Sequence, residues 1–215
     1  MILVFTGTDG AGKSTQIDRT IARLAERGLT AQRHDKWDIF DRRRYPECRF
    51  VRKPVEDLRE CIAEMEGDAR AMFLFWVITT TLKGLDACDV DLLDGYWYKH
   101  AASELTLGCS RSLIDALRAD LPPPDHVLYL RVDPELALTR KPALTRYECG
   151  RDPALSRDRF LYHQHRLRGI LDAWADELAW TVIDANRRPE QVGAEIDRWV
   201  DRWVARQMRD LESAR

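Results

Sequence analysis

The chain has 215 residues, of which 45% are hydrophobic and 33% charged, with 7 Trp, 6 Tyr and 6 Phe. That apolar content excludes disorder as the general state, since a chain this long buries roughly 70% of the surface its unfolded form exposes. Lys and Arg number 34 against 36 Asp and Glu, a net charge of −2, so nothing draws the whole molecule to nucleic-acid polymers or anionic membranes, and an anionic ligand must be held locally.

In chain order, residues 2–5 form a short apolar β run, and Ile17, Ile21 and Leu24 then repeat at helical spacing. Residues 29–34 read as a second strand, and 37–53 lack apolar periodicity, as a functional loop would. A stripe of Val55, Leu58, Ile62 and Met65 precedes residues 72–85, apolar nearly all round and so expected in the interior. Strands are predicted at 90–93, 127–132 and 181–184, a second aperiodic loop at 141–153, and helices around Phe160, Leu167, Leu171, Trp174 and Leu178 and around Val192, Ile196, Trp199 and Trp203. The last stripe either packs on the sheet or contributes to a subunit interface. Five strands alternating with helices imply an α/β fold on a parallel sheet, here one domain over 1–215.

Cys48, Cys61, Cys88, Cys109 and Cys149 are odd in number and never spaced C-x-x-C, which suits a reducing cytoplasm better than a disulfide framework or a zinc site. The opening apolar run is too brief for a secretory signal, and the longest apolar stretch, 71–78, falls far short of the roughly 18 residues of a spanning helix. A soluble cytoplasmic protein is expected.

One motif stands above this background. Gly7-Thr8-Asp9-Gly10-Ala11-Gly12-Lys13-Ser14 fits G-x-x-x-x-G-K-[ST], which a chain of average composition and this length matches in roughly one case in a hundred. It lies between a predicted strand and a predicted helix, the setting a phosphate-binding loop needs. Glycines let the backbone curl around a phosphate and present successive N–H groups, and the helix N-terminus adds favourable potential. Lys13 is expected on the β- and γ-phosphates of ATP and Ser14 on Mg²⁺.

Asp94 ends the strand at 90–93, and ligands of parallel sheets sit beyond the carboxyl ends of the strands. It either holds Mg²⁺ or orients the acceptor's attacking oxygen, or it caps the following helix. Asp91 reads as structural or exposed.

With Asp9 in the loop, Asp94-Gly95-Tyr96, the Arg140 segment after Val132-Asp133-Pro134, the Phe160 to Trp174 stripe and Ile183-Asp184-Ala185, the chain resembles the thymidylate kinases, in family order over nearly its whole length. The resemblance implies a P-loop NTPase-type three-layer sandwich, helices on both faces of a five-stranded parallel sheet, a lid near 141–153, ATP and Mg²⁺ as cofactors, and a homodimer. It puts Gly7, Asp9, Gly10, Ala11, Gly12, Lys13, Ser14, Thr15, Asp184 and Asn186 at the nucleotide, with Ser14 and Asp94 at the metal. Asp9, Phe75, Thr79 and Tyr96 fall toward the acceptor, and Lys13, Asp94, Arg140, Arg146 and Arg151 toward phosphoryl transfer. For Arg146 a solvated basic loop is the alternative.

Departures from the family lie mostly on the acceptor side. Gly95 stands where an Arg grips the acceptor phosphate, Thr79 where an Arg contacts thymine, and His34-Asp35-Lys36-Trp37-Asp38 where the family has Arg-Glu-Pro-Gly. Two lost charged hydrogen bonds of about 1.5–3 kcal/mol each put ordinary dTMP specificity in question. Lys36 and Lys99 are replacement cations, whereas Arg42, Arg43, Arg44, Arg49, Arg52 and Lys53 read as a solvated face. The expectation is an ATP-dependent phosphotransferase acting on a nucleoside monophosphate-type acceptor. The alternatives are a kinase of another small molecule and a regulatory protein that binds ATP without transfer.

Overall fold

The computed structural model describes residues 1–52, 54–85 and 87–213; Lys53 of the basic run lies outside the described residues. Five parallel strands, β1 (Ile2–Thr6), β2 (Ala31–His34), β3 (Val90–Asp94), β4 (His126–Arg131) and β5 (Thr181–Asp184), form one sheet in the order β2-β3-β1-β4-β5. Leu3 of β1 lies beside Leu92 of β3 and His126 of β4, so the strand before the glycine motif is central. Central parallel strands are covered on both faces and read as continuous apolar runs.

The helices are α1 (Lys13–Glu26), α2 (Val55–Glu64), α3 (Gly67–Thr81), α4 (Tyr96–Thr106), α5 (Arg111–Arg118), α6 (Pro134–Thr139), α7 (Arg157–Glu177) and α8 (Pro189–Ser213). Side chains alternate across a strand, and the core divides accordingly. Leu3, Phe5, Leu92, Leu128 and Leu130 pack with Ile17 and Leu24 of α1 and Val192 and Ile196 of α8. Val4, Leu93, Val127 and Tyr129 face the other way, onto Phe75 of α3, Trp97 of α4 and Leu167 and Trp174 of α7. This is the three-layer α/β sandwich expected of the P-loop type. Trp199 and Trp203 of α8 pack on the first of these faces, the sheet reading of the C-terminal stripe.

The aperiodic stretch before α2 contains two 3₁₀ turns, Lys36–Phe40 and Pro46–Phe50, closed by Asp35, whose side chain accepts from the Trp37 N–H. Asp91 is structural and fully buried, its Oδ1 2.7 Å from His34 Nε2, because the β3 register sets it inward. The cysteines are free thiols. Among the described residues no helix is long and apolar enough to cross a membrane.

The loop from Gly7 to Gly12 is wedged against β4 and α6. A Cβ on Gly7 would stand 2.6 Å from the Leu130 carbonyl oxygen, and one on Gly10 would stand 2.8 Å from the Ala137 carbonyl oxygen. Gly10 and Gly12 both have positive φ, +81° and +86°, but a Cβ on Gly12 meets nothing within 4 Å. Gly10→Ala therefore adds a clash to the left-handed backbone cost, and Gly12→Ala carries that cost alone. The expected losses of unfolding free energy are about 2–4 and about 1 kcal/mol respectively, read as shifts of denaturant midpoint at constant slope.

Candidate active site

Lys13 opens α1, and its Nζ donates to the carbonyl oxygens of Gly7 and Thr8, each at 3.0 Å. The next residue, Ser14, donates from Oγ to Asp94 Oδ2 at 3.1 Å. Both loop and aspartate sit at the carboxyl ends of adjacent strands, which is why residues eighty positions apart meet. A third side chain joins them from β2: Arg33 Nη2 lies 2.5 Å from Asp94 Oδ2 and 3.0 Å from Ser14 Oγ.

Asp9 is the second centre. Its Oδ1 accepts from Lys99 Nζ at 2.5 Å and its Oδ2 from Gln164 Nε2 at 3.3 Å, while its own N–H donates to Gln164 Oε1 at 3.1 Å. Gln164 also donates to the Glu148 carbonyl at 2.9 Å, and the Glu148 carboxylate pairs with Lys141. One α7 side chain thus fastens residues 141–148 to the glycine loop. Burial alone would raise the Asp9 carboxyl, but Lys99 and Lys13 outweigh it and hold the group ionised, well below the usual carboxylate range. Burial would likewise lower Lys99, and Asp9 reverses that. Lys13 is pushed down, by burial first and then by the like charge of Lys99.

Beyond Lys99 lies an aromatic residue of the 141–153 segment. Tyr147 is buried, bonded through its hydroxyl to His100 Nδ1 at 2.9 Å, with Arg70, Lys99 and Lys36 at 5.2, 5.7 and 5.9 Å from its ring centre. Lys36 also sits 4.6 Å over Trp37, and burial pushes its ammonium down to about 8 against the opposing pull of Asp35.

On the far side of the loop a cleft of about 320 Å³ is lined by Gly10, Ala11, Gly12, Thr15, Arg140 and Ala185, among others. The Arg140 guanidinium donates to the carbonyls of Gly10 (3.3 Å), Ala185 (2.9 Å) and Arg187 (3.4 Å) and lines this cleft. Asp184 and Asn186 build the adjoining turn: Asp184 Oδ1 accepts from the Asn186 N–H at 3.0 Å, and Asn186 Oδ1 from the Asp133 N–H at 2.8 Å.

The remaining predicted residues have other partners, although Tyr96 lines a small cavity with Lys36 and Asp94. Arg151 Nε donates to the Ala63 carbonyl at 3.0 Å, and Arg146 is 3.5 Å from Glu64, so both guanidiniums engage the C-terminal end of α2. Phe75 is buried in the core with Leu93 and Tyr96, whose hydroxyl donates to the Pro122 carbonyl at 2.9 Å; Thr79 is exposed on α3. Gly95 takes φ +77°, a conformation in which an arginine would be strained. His163 is buried and His165 exposed, and among the described residues no three His, Cys, Asp or Glu side chains converge to hold a metal ion.

Sequence reasoning missed Arg33, Gln164, Tyr147 and Arg70. For two of them a signal existed: Gln164 interrupts the spacing of Phe160, Leu167 and Leu171, and Arg70 precedes Leu74 and Val77, so each is a polar residue at a core position of its helix.

No family model matches the chain. It is 32% identical over 100 residues to a protein of Pyrobaculum aerophilum named probable thymidylate kinase, a match covering 45% of this chain and 46% of that relative. A protein of the same name from Archaeoglobus fulgidus is 24% identical over 206 residues, 95% of this chain and 96% of that protein.

Lys36 supplies a pH test of the site. Its attraction for an anion is present below about pH 8 and is lost as the ammonium deprotonates above it. A titration of ¹³C-methylated lysines followed by NMR is expected to show one resonance, absent in Lys36→Arg, with a midpoint near 8 rather than the ordinary value of about 10.4.

Proposed function

We propose that this protein is an ATP- and Mg²⁺-dependent phosphotransferase that moves the γ-phosphoryl group onto an oxygen of a nucleoside monophosphate-type acceptor. The observation that carries this reading is the meeting of Lys13, Ser14 and Asp94 at the end of a glycine loop whose open side, at Gly12, has nothing within 4 Å of a Cβ position. The names of the two archaeal relatives support the same reaction class.

The donor set suits the ions and groups this chemistry requires. Ser14 Oγ and Asp94 Oδ2 are hard oxygen ligands 3.1 Å apart, already sharing a cation in the Arg33 guanidinium, so the pair fits Mg²⁺. A bound Mg²⁺ would neutralise charge on the β- and γ-phosphates. Lys13 would turn from the Gly7 and Thr8 carbonyls to the phosphate oxygens, adding a cation where negative charge develops. Arg140 and the turn at 184–187 would border the adenine end of ATP in the 320 Å³ cleft. On the acceptor side Asp9 stays ionised and accepts a hydrogen bond, while Lys99 holds it in place and neutralises the approach of a phosphate. Transfer on this scheme is direct and rests on positioning and electrostatics.

Gly95 and Thr79 favour an acceptor other than thymidylate. Neither carries the guanidinium the family resemblance implies, and Thr79 faces solvent.

Lys13→Ala is expected to lower phosphoryl transfer by at least about 100-fold with the circular-dichroism spectrum and melting profile preserved. Transfer would be read as ADP release and as phosphorylated product over a panel of dTMP, dUMP, the other monophosphates and free nucleosides. A rate near wild type would remove Lys13 from the mechanism, and nucleotide binding without product from any acceptor would point to a regulatory protein.

A further inference from the structure

Arg70 of α3 and Glu104 of α4 are among the most deeply buried charged residues of the chain, 1% and 2% exposed. They form an ion pair, Nε to Oε1 at 3.0 Å, but the angles do not make it a hydrogen bond. Among the described residues none of the three guanidinium nitrogens, and not Glu104 Oε1, has a hydrogen-bond partner. A buried guanidinium carries five N–H donors, and leaving them unpaired costs far more than a surface charge does, so the pair is incomplete as it stands. Burial also pushes the Glu104 carboxyl up to about 7 despite Arg70 beside it.

The surroundings say what completes it. Tyr147 presents its ring face to the Arg70 guanidinium at 5.2 Å and to Lys99 at 5.7 Å, and Lys99 in turn holds Asp9. A planar aromatic ring therefore already bridges the Arg70 pair and the acceptor side of the phosphate loop, tethered by its hydroxyl to His100. A guanidinium offers only donors, and the Glu104 carboxylate, ionised above about pH 7, only acceptors, so side by side they match an edge that carries one acceptor next to one donor, as nucleobases do.

We propose that Arg70 and Glu104 are the base-reading couple of the acceptor site, taking the hydrogen-bonding edge of a heterocycle that stacks where the Tyr147 ring lies. This rests on the phosphotransfer reading above and names the feature by which the acceptor is chosen.

Calorimetric titration tests it with two kinds of probe: 2-deoxyribose 5-phosphate, which has no base, and the monophosphates dTMP, dUMP, dCMP, dGMP and dAMP. The wild type is expected to bind at least one monophosphate about 10-fold or more tighter than the abasic sugar phosphate. Arg70→Met and Glu104→Gln should erase that difference while leaving the abasic affinity unchanged. Because a lone buried charge can unfold the single variants, the double variant R70M/E104L, with no charge left to strand, is measured alongside them. Equal weakening of both probes, or a base preference that survives in the double variant, would overturn the proposal and leave the couple structural. A non-hydrolysable ATP analogue titrated into the same proteins separates the two levels: if it binds and no monophosphate exceeds the abasic probe, base reading fails alone, and if it does not bind, the phosphotransfer reading fails and the proposal with it.

Discussion

The carboxylate of Asp9 joins the parts of this molecule that a phosphotransferase would have to coordinate. It belongs to the glycine loop, is paired with Lys99 on α4, and is bonded to Gln164 on α7, which also grips the 141–148 segment. With Lys99 and Lys13 both acting on it, the group keeps its charge although it is withdrawn from water. Three elements thus share one negative charge, and the position of each bears on the protonation and reach of the others. Neutralising that carboxylate would remove the counter-charge shared by the buried Lys99 and the half-buried Lys13, which is why the loop and α4 behave as one electrostatic unit.

The fold and the glycine loop were legible because their causes are local. Continuous burial along β1, with side chains alternating between the two faces, follows from a run of apolar residues, and the curl of the loop follows from Gly7 and Gly10, where any side chain would strike β4 or α6. The order of the strands placed Ser14 and Asp94 together, as their position at strand ends implied. Arg33 was not legible, because it lies in a short polar strand and only the β2–β3 register brings it beside Asp94. Arg70, Glu104 and Tyr147 come from three separate segments, and no spacing rule links positions 70, 104 and 147; only the interrupted apolar stripe of α3 hinted at the first.

The arginines show the same division from the other side. Residue type and loop location suggested that Arg140, Arg146 and Arg151 act alike, yet their partners separate them. Arg140 is fixed by three carbonyls at the cleft beside the glycine loop, whereas Arg146 and Arg151 engage the end of α2 and tie the segment after α6 to it. A guanidinium goes where several carbonyl or carboxylate oxygens converge, and sequence distance says little about where that is.

The arginine of β2 has one more implication. Because Arg33 lies against Ser14 and Asp94, the chain itself supplies the counter-ion of that carboxylate. On the proposed reading, a divalent ion arriving there would exchange one positive charge for another and would not fill a bare anionic hole. Asp18 and Asp35 stand 3.6 and 3.8 Å from the same guanidinium, so on that reading they would hold it once displaced, and loading the site would rearrange the β2 rim.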